Sequence, residues 1–98
     1  MGIEELDPVL HERVRLGIVA LLAQTEELDF QALKRELGVT DGNLAQHLRV
    51  LEDAGIVSVH KGFYGRRPRT TYRLTKEGRR RVENYIRELR TLLGSLLS

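Results

Sequence analysis

Asn43, Gln46 and Arg49 recur every third residue in the stretch TDGNLAQHLRVLEDAG, residues 40–55. On a helix that spacing keeps the three side chains on neighbouring turns of one face. Two amides and a guanidinium offer several hydrogen-bond donors and acceptors but no nucleophile or base, so their chemistry is recognition rather than bond cleavage. An amide can pair bidentately with N6 and N7 of adenine in a major groove. Arginine on such a face more often meets a phosphate, which positions rather than specifies. Asn43 has a second reading, since the third residue of a helix can reach back to its cap. Thr40 and Gly42 stand at the same end. Thr40 is suited to cap the helix, and Gly42 either admits a close backbone or is a tolerated first-turn glycine.

A second group of candidates follows: Lys61, Arg66, Arg67 and Arg69, the last three around Pro68. Charge along the chain gives these residues their weight. Residues 1–59 hold five Lys/Arg against eleven Asp/Glu, a net of −6, and residues 60–81 hold nine against one, a net of +8. Residues 82–98 balance, so the overall +2 conceals a concentrated basic block. Such a block points to a polyanion, and arginine at the tip of a hairpin suits a minor groove, where negative potential is concentrated. Phe63 and Tyr64 read as bracing for that hairpin, and Arg79, Arg80 and Arg81 as a solvated helix face.

The composition excludes several other classes. With 98 residues the chain makes one domain. The absence of cysteine removes disulfides and thiolate metal sites, and His11, His47 and His60 are too scattered for a metal centre. No phosphate loop, paired carboxylates or nucleophile–base set is visible, so an enzyme is not expected, nor a cofactor. There is no apolar run of membrane-spanning length or signal-peptide pattern, and a cytoplasmic location is the default.

Hydrophobic periodicity supplies the elements that position these groups. Asp7-Pro8 opens a helix over residues 7–23, with Leu10, Val14, Ile18 and Leu22 on one face. A short polar connection leads to one extended pair at Leu28. Asp29 caps a helix over 29–37, which Gly38 ends. Residues 40–54 form the next helix, with Leu44, Leu48 and Leu51 as its buried stripe and Gly55 as its left-handed stop. Alternation then replaces the helical period, giving a hairpin over 56–74 whose strands end near Lys61 and restart near Arg69. Thr75 caps a last helix to residue 97. The expected architecture is mainly α with a small β-hairpin wing: a winged helix-turn-helix followed by a long C-terminal helix.

The sequence is similar to the small bacterial and archaeal winged-helix transcriptional regulators of the MarR/ArsR type. The likeness rests on DFQALKRELGVTDGNLAQHLRVLEDAG at 29–55 and KGFYGRRPRTTYRLTKEGRR at 61–80. It implies sequence-specific binding of double-stranded DNA by a homodimer, usually in repression. Ala45 departs from the pattern, standing where these proteins often have serine. The metal-binding clusters of the metal-sensing members are also missing. No residue indicates a small-molecule effector, although a pocket at a dimer interface stays open.

Tyr85, Leu89, Leu92, Leu93 and Leu96 continue the last helix's apolar stripe beyond what three helices and a hairpin can cover. Pairing with a second copy would cover it and present two reading helices to a palindrome, the alternative being that the helix packs back on its own core. The rival reading is a winged-helix protein-interaction module without specific DNA binding. The basic wing argues against it, because a scaffold need not concentrate charge there.

Overall fold

The computed structural model describes residues 2–94. A 3-10 turn at Ile3–Glu5 precedes α1 (Arg13–Ala23), β1 (Leu28–Asp29), α2 (Phe30–Leu37), α3 (Asp41–Asp53), β2 (Val57–Tyr64), β3 (Arg67–Leu74) and α4 (Lys76–Leu92). The sheet is antiparallel in the order β1-β3-β2. Leu10, Val14, Ile18, Leu22, Leu33, Leu44, Leu48, Leu51, Ile56 and Val57 form the core between the helices and the base of the hairpin. Burying each such side chain contributes about 1.5–3 kcal/mol.

Helix α1 begins six residues later than the Asp7-Pro8 signature suggests. The Asp7 carboxylate does accept from the Val9 N–H at 3.0 Å, but only a turn results. Its two oxygens are also held by Arg81, with Nε and Nη2 each 2.9 Å away, 74 residues along the chain. Glu12, in extended conformation, becomes the N-cap and accepts from the Arg15 N–H at 2.8 Å. The break lets Leu6 and Leu10 reach the core ahead of the helix, while His11 Nδ1 meets the Tyr85 hydroxyl at 2.8 Å. Arg81, read from sequence as solvated, is therefore a tie between the N-terminal segment and α4.

The starts of the other helices and the ends of α2 and α3 follow their signatures, whereas α4 runs to Leu92 and the last residues of its expected span to 97 lie outside the described residues. Asp29 and Thr40 each cap through a side-chain oxygen, to the N–H groups of Ala32 and Asn43. Gly38 turns left-handed at φ 65° to close α2. At the end of α3 the Ile56 N–H bonds the Leu51 carbonyl and the Gly55 N–H bonds that of Glu52. That is a Schellman arrangement, with Gly55 at φ 76° and Leu51 and Ile56 both buried beside it.

The first turn of α4 is locked against this motif. Thr75 Oγ1 accepts from the Gly78 N–H and donates to the Gly55 carbonyl at 2.6 Å, and the Thr75 N–H bonds the Ile56 carbonyl at 2.9 Å. Gly78 lies so close that an added methyl would overlap the backbone of Ile56. Backbone cannot swing aside as a flexible side chain would. Gly78→Ala should therefore cost roughly 2 kcal/mol and lower the thermal midpoint by about 10 °C. A melting curve that superposes on wild type would show that the contact relaxes freely.

The hairpin is longer than its glycine and proline punctuation suggested. Both strands have eight residues and run to the tip, leaving only Gly65 and Arg66 between Tyr64 and Arg67. Gly65 takes φ 64°, as a two-residue hairpin turn requires. Pro68 pairs with Phe63 inside β3. β1 pairs only with Thr71 and Tyr72, so the other edge of β3 at Pro68 faces no strand and lacks no partner for the missing N–H.

Candidate nucleic-acid interface

Helix α3 buries Leu44, Leu48 and Leu51 and exposes Gly42, Ala45, Gln46 and Arg49. A three-residue link, 38–40, joins it to α2, and a salt bridge between Lys34 Nζ and Asp41 at 2.8 Å spans the two helices. Being exposed, that bridge contributes little stability. Behind α3, His47 Nδ1 lies 3.0 Å from Arg15 Nη1, while Arg15 Nε donates to the Val9 carbonyl at 2.6 Å. An arginine nitrogen only donates, so Nδ1 is the acceptor in this contact, and Glu12 Oε1 lies 3.6 Å from the same nitrogen. His47 is thus a half-buried residue satisfied by a neighbour.

Asn43 differs from its two companions. Its side chain is half-buried, and Oδ1 lies out of solvent with no hydrogen-bond partner. The side chain makes no capping bond; the cap at this end is the Thr40 hydroxyl accepting from the Asn43 N–H at 3.1 Å. A buried acceptor left unpaired is unfavourable by roughly 1–3 kcal/mol. At Gly42 nothing lies within 4 Å of where a side chain would begin, so the protein's own packing does not demand glycine there.

Register divides the wing's cations into two sets. Arg67, Arg69, Thr71 and Arg73 alternate onto one face of β3, with Lys61 and Phe63 on the opposite face of β2. Glu27 lies against the arginine face. Its Oε1 is 2.9 Å from Arg73 Nη2 and accepts from Thr71 Oγ1 at 3.2 Å. Arg69 is shared, 3.7 Å from Glu27 and 3.5 Å from Asp29. The Arg73 guanidinium, with Thr71 and Arg69, holds the Glu27 carboxyl below the usual carboxylate range despite partial desolvation. Among the described residues, Lys61, Arg66 and Arg67 have no acidic partner within ion-pair distance, and all three are exposed.

Sequence reasoning therefore grouped Arg69 with Arg66 and Arg67 where the structure separates them. It also missed Glu27 and Asp29, whose role depends on a strand pair only two residues long. The bracing expected of Phe63 and Tyr64 is not what the structure shows. They are 76% and 75% exposed, and only Tyr64 has a neighbour over its ring, Arg69 Cζ at 5.9 Å.

On α4 the apolar stripe splits in two. Val82, Tyr85 and Leu89 turn to the protein's own core, and Tyr85 is 4% exposed. Tyr85 was expected at an interface between copies; bonded to His11 and buried, it has almost no surface to offer one. Ile86, Leu92 and Leu93 remain exposed at 46%, 36% and 39%. Ile86 was not among the interface residues inferred from sequence. Leu96 lies outside the described residues.

Three helices whose second and third are joined by a tight turn, followed by a basic hairpin, define a winged helix-turn-helix. Residues 14–93 match the winged helix DNA-binding domain family, and the chain belongs to it. It is a DNA-binding transcriptional regulator and not an enzyme. The matched span includes both segments that carried the resemblance. An uncharacterised protein of Methanocaldococcus jannaschii is 40% identical over 81 residues, which are 83% of this chain and 88% of the relative. The structure of a transcriptional regulator homologue from Pyrococcus horikoshii has a TM-score of 0.83 at 33% identity, over 90% of this chain and 87% of that one. The transcriptional repressor BigR of Xylella fastidiosa has a TM-score of 0.63 at 26% identity, over 92% of this chain and 81% of that one. No helix among the described residues is long and apolar enough to cross a membrane.

Proposed function

We propose that the protein acts in the cytoplasm as a homodimeric repressor, each subunit reading one half of a palindromic site in double-stranded DNA. The observation that carries the dimer is the exposed apolar line on α4. Ile86 and Leu93, the C-cap residue, are seven residues apart, and so fall on one side of the helix two turns from each other. Ile3, 66% exposed, ends a segment whose next residues line a cleft with Asn84 and Glu88 of the same helix. Unpaired, these side chains would leave apolar surface in water; a second copy removes it. That BigR, a structural neighbour, is a transcriptional repressor supports repression as the direction of control.

Within each half-site, Thr40, Gly42, Asn43, Gln46 and Arg49 of α3 face the major groove, and Lys61, Arg66, Arg67 and Arg69 flank it. Gln46 and Arg49 are exposed and ready for contact. Asn43 gains most by it. Rotating its amide toward a base edge would supply the partner that Oδ1 lacks. Charge divides the labour: residues 40–55 net −2, so attraction comes from the wing and choice from the helix.

Selecting bound duplexes from a random pool tests dimer and reading together. The expected product is an inverted repeat with half-site centres about 10 base pairs apart or a multiple of that. A single unrepeated motif would refute the two-fold arrangement. Repeating the selection with Asn43→Ala and Gln46→Ala combined should recover a degenerate set, while binding keeps its steep salt dependence. An unchanged motif would remove both residues from the reading surface.

A further inference from the structure

The wing ends in an apolar feature that phosphate binding does not use. Phe63 and Tyr64 are the last two residues of β2, and successive strand residues point to opposite faces, so the rings flank the ribbon one on each side. Arg69 partly covers Tyr64. Phe63 has only Pro68 opposite it in the register and is 76% exposed, the most exposed large apolar side chain among the described residues. Leaving a phenylalanine in water at a hairpin tip stabilises nothing in the folded chain. Lys61 shares its face, Arg66 sits in the adjoining turn and Arg67 projects from the other face, and among the described residues none of these cations has an acidic partner.

We propose that Phe63 is a wedge that enters the minor groove at the flank of the bound site and partly unstacks one base step, while the turn arginines hold the adjoining phosphates. This rests on the DNA-contact reading of the wing. A minor groove about 6 Å wide admits side chains from a ribbon tip, though not the ribbon itself. Apolar side chains inserted there kink the duplex toward the major groove and increase the protein surface it meets. The charge of the surroundings selects this occupant over a second copy of the chain. Two wings meeting tip to tip would set Lys61, Arg66 and Arg67 of one copy against the same three cations of the other, whereas DNA is complementary to both. Phe63 thereby becomes a specificity-determining residue: flexible pyrimidine–purine steps at the flank are favoured because they unstack at least cost.

The test uses the full chain and a duplex of about 30 base pairs recovered from the random pool, with 2-aminopurine placed at successive positions through and beyond the site. Bound wild-type protein should raise 2-aminopurine fluorescence at one step on each flank. Phe63→Ala should abolish that rise and weaken binding roughly tenfold, with the salt slope unchanged because no phosphate contact is lost. Phe63→Leu, which keeps an apolar wedge, should retain part of both effects. Since the ring is exposed, both variants should melt as wild type does. Absence of any fluorescence rise with wild type, or a rise that persists in Phe63→Ala, overturns the wedge. A change in sedimentation without a change in DNA binding also overturns it and assigns the ring to contact between copies. Failure of the underlying DNA-contact reading looks different: wild-type binding to every duplex would then be insensitive to salt.

Discussion

Replacing Arg66 and Arg67 together with alanine should weaken binding to duplex DNA by about 10- to 100-fold at moderate salt and reduce the slope of log K against log salt by about two. Each phosphate contact releases roughly one counterion from B-DNA, so the slope counts contacts while the affinity sums them. These two arginines are chosen because the structure leaves them unspent: both are exposed, at the tip, without an acid nearby. Arg69 sits two residues further along the same face but is shared between Glu27 and Asp29, and Arg73 lies directly against Glu27. A guanidinium already paired with a carboxylate contributes little new counterion release. Arg69→Ala alone should therefore change the slope by much less than one, and Glu27→Gln should steepen it by freeing Arg73, while Asp29 still holds Arg69. Fluorescence anisotropy across a salt series measures all three variants. If Arg69→Ala flattened the slope as much as the Arg66/Arg67 pair, the division of the wing into free and engaged cations would be wrong.

That division illustrates what the amino-acid sequence can and cannot convey. Helix ends were legible because their signals are local: Asp29, Thr40 and Thr75 cap through bonds to residues three positions on, and Gly38 and Gly55 take the left-handed turns their positions imply. Asp7-Pro8 carried an equally good local signal and misled, because Arg81 claims the Asp7 carboxylate from 74 residues away. Oδ1 still accepts from the Val9 N–H, but with the carboxylate anchored on α4 the chain makes only a turn and becomes extended at Glu12 before the helix begins. The hairpin loop was overestimated for a related reason. Gly62 and Pro68 look like breakers, yet Gly62 pairs with Arg69 and Pro68 with Phe63 in an unbroken ladder, and only Gly65 needs a left-handed backbone.

The candidate site was legible by class but not by partition. Residue types alone placed amides on one face of α3 and cations in the wing. Which cations are free depends on β1, two residues that pair with the far strand and bring Glu27 and Asp29 to it. Nothing in a window around Glu27 announces this contact. The same limit applies to α4, where one apolar stripe serves two surfaces. Tyr85 faces inward because His11 offers its hydroxyl a partner, and the turn that places His11 is the one that Asp7 and Arg81 create. The N-terminal segment thus decides which α4 residues are left for another molecule.

This partition makes the dimer testable without damaging the fold. Replacing Ile86 and Leu93 with aspartate should convert a dimer to monomers in sedimentation equilibrium and weaken binding to a full palindrome by about 100-fold, with binding to an isolated half-site nearly unchanged. The loss arises because two linked recognition helices bind the second half-site as an intramolecular step, and monomers lose that advantage. Both side chains are exposed in the single chain, at 46% and 39%, so each subunit should keep its helical content and thermal midpoint. Facing carboxylates across a two-fold axis would add repulsion to the lost apolar contact. Tyr85→Ala is the wrong probe for the same question. It empties a position that is 4% exposed and strips His11 of a partner at 2.8 Å, so any loss of dimer there would follow from loosening the core. If the Ile86/Leu93 variant sediments as a dimer and binds the palindrome as wild type does, α4 is not the joint. The two recognition helices would then have to be paired through another surface, such as the exposed Ile3 at the N-terminal turn.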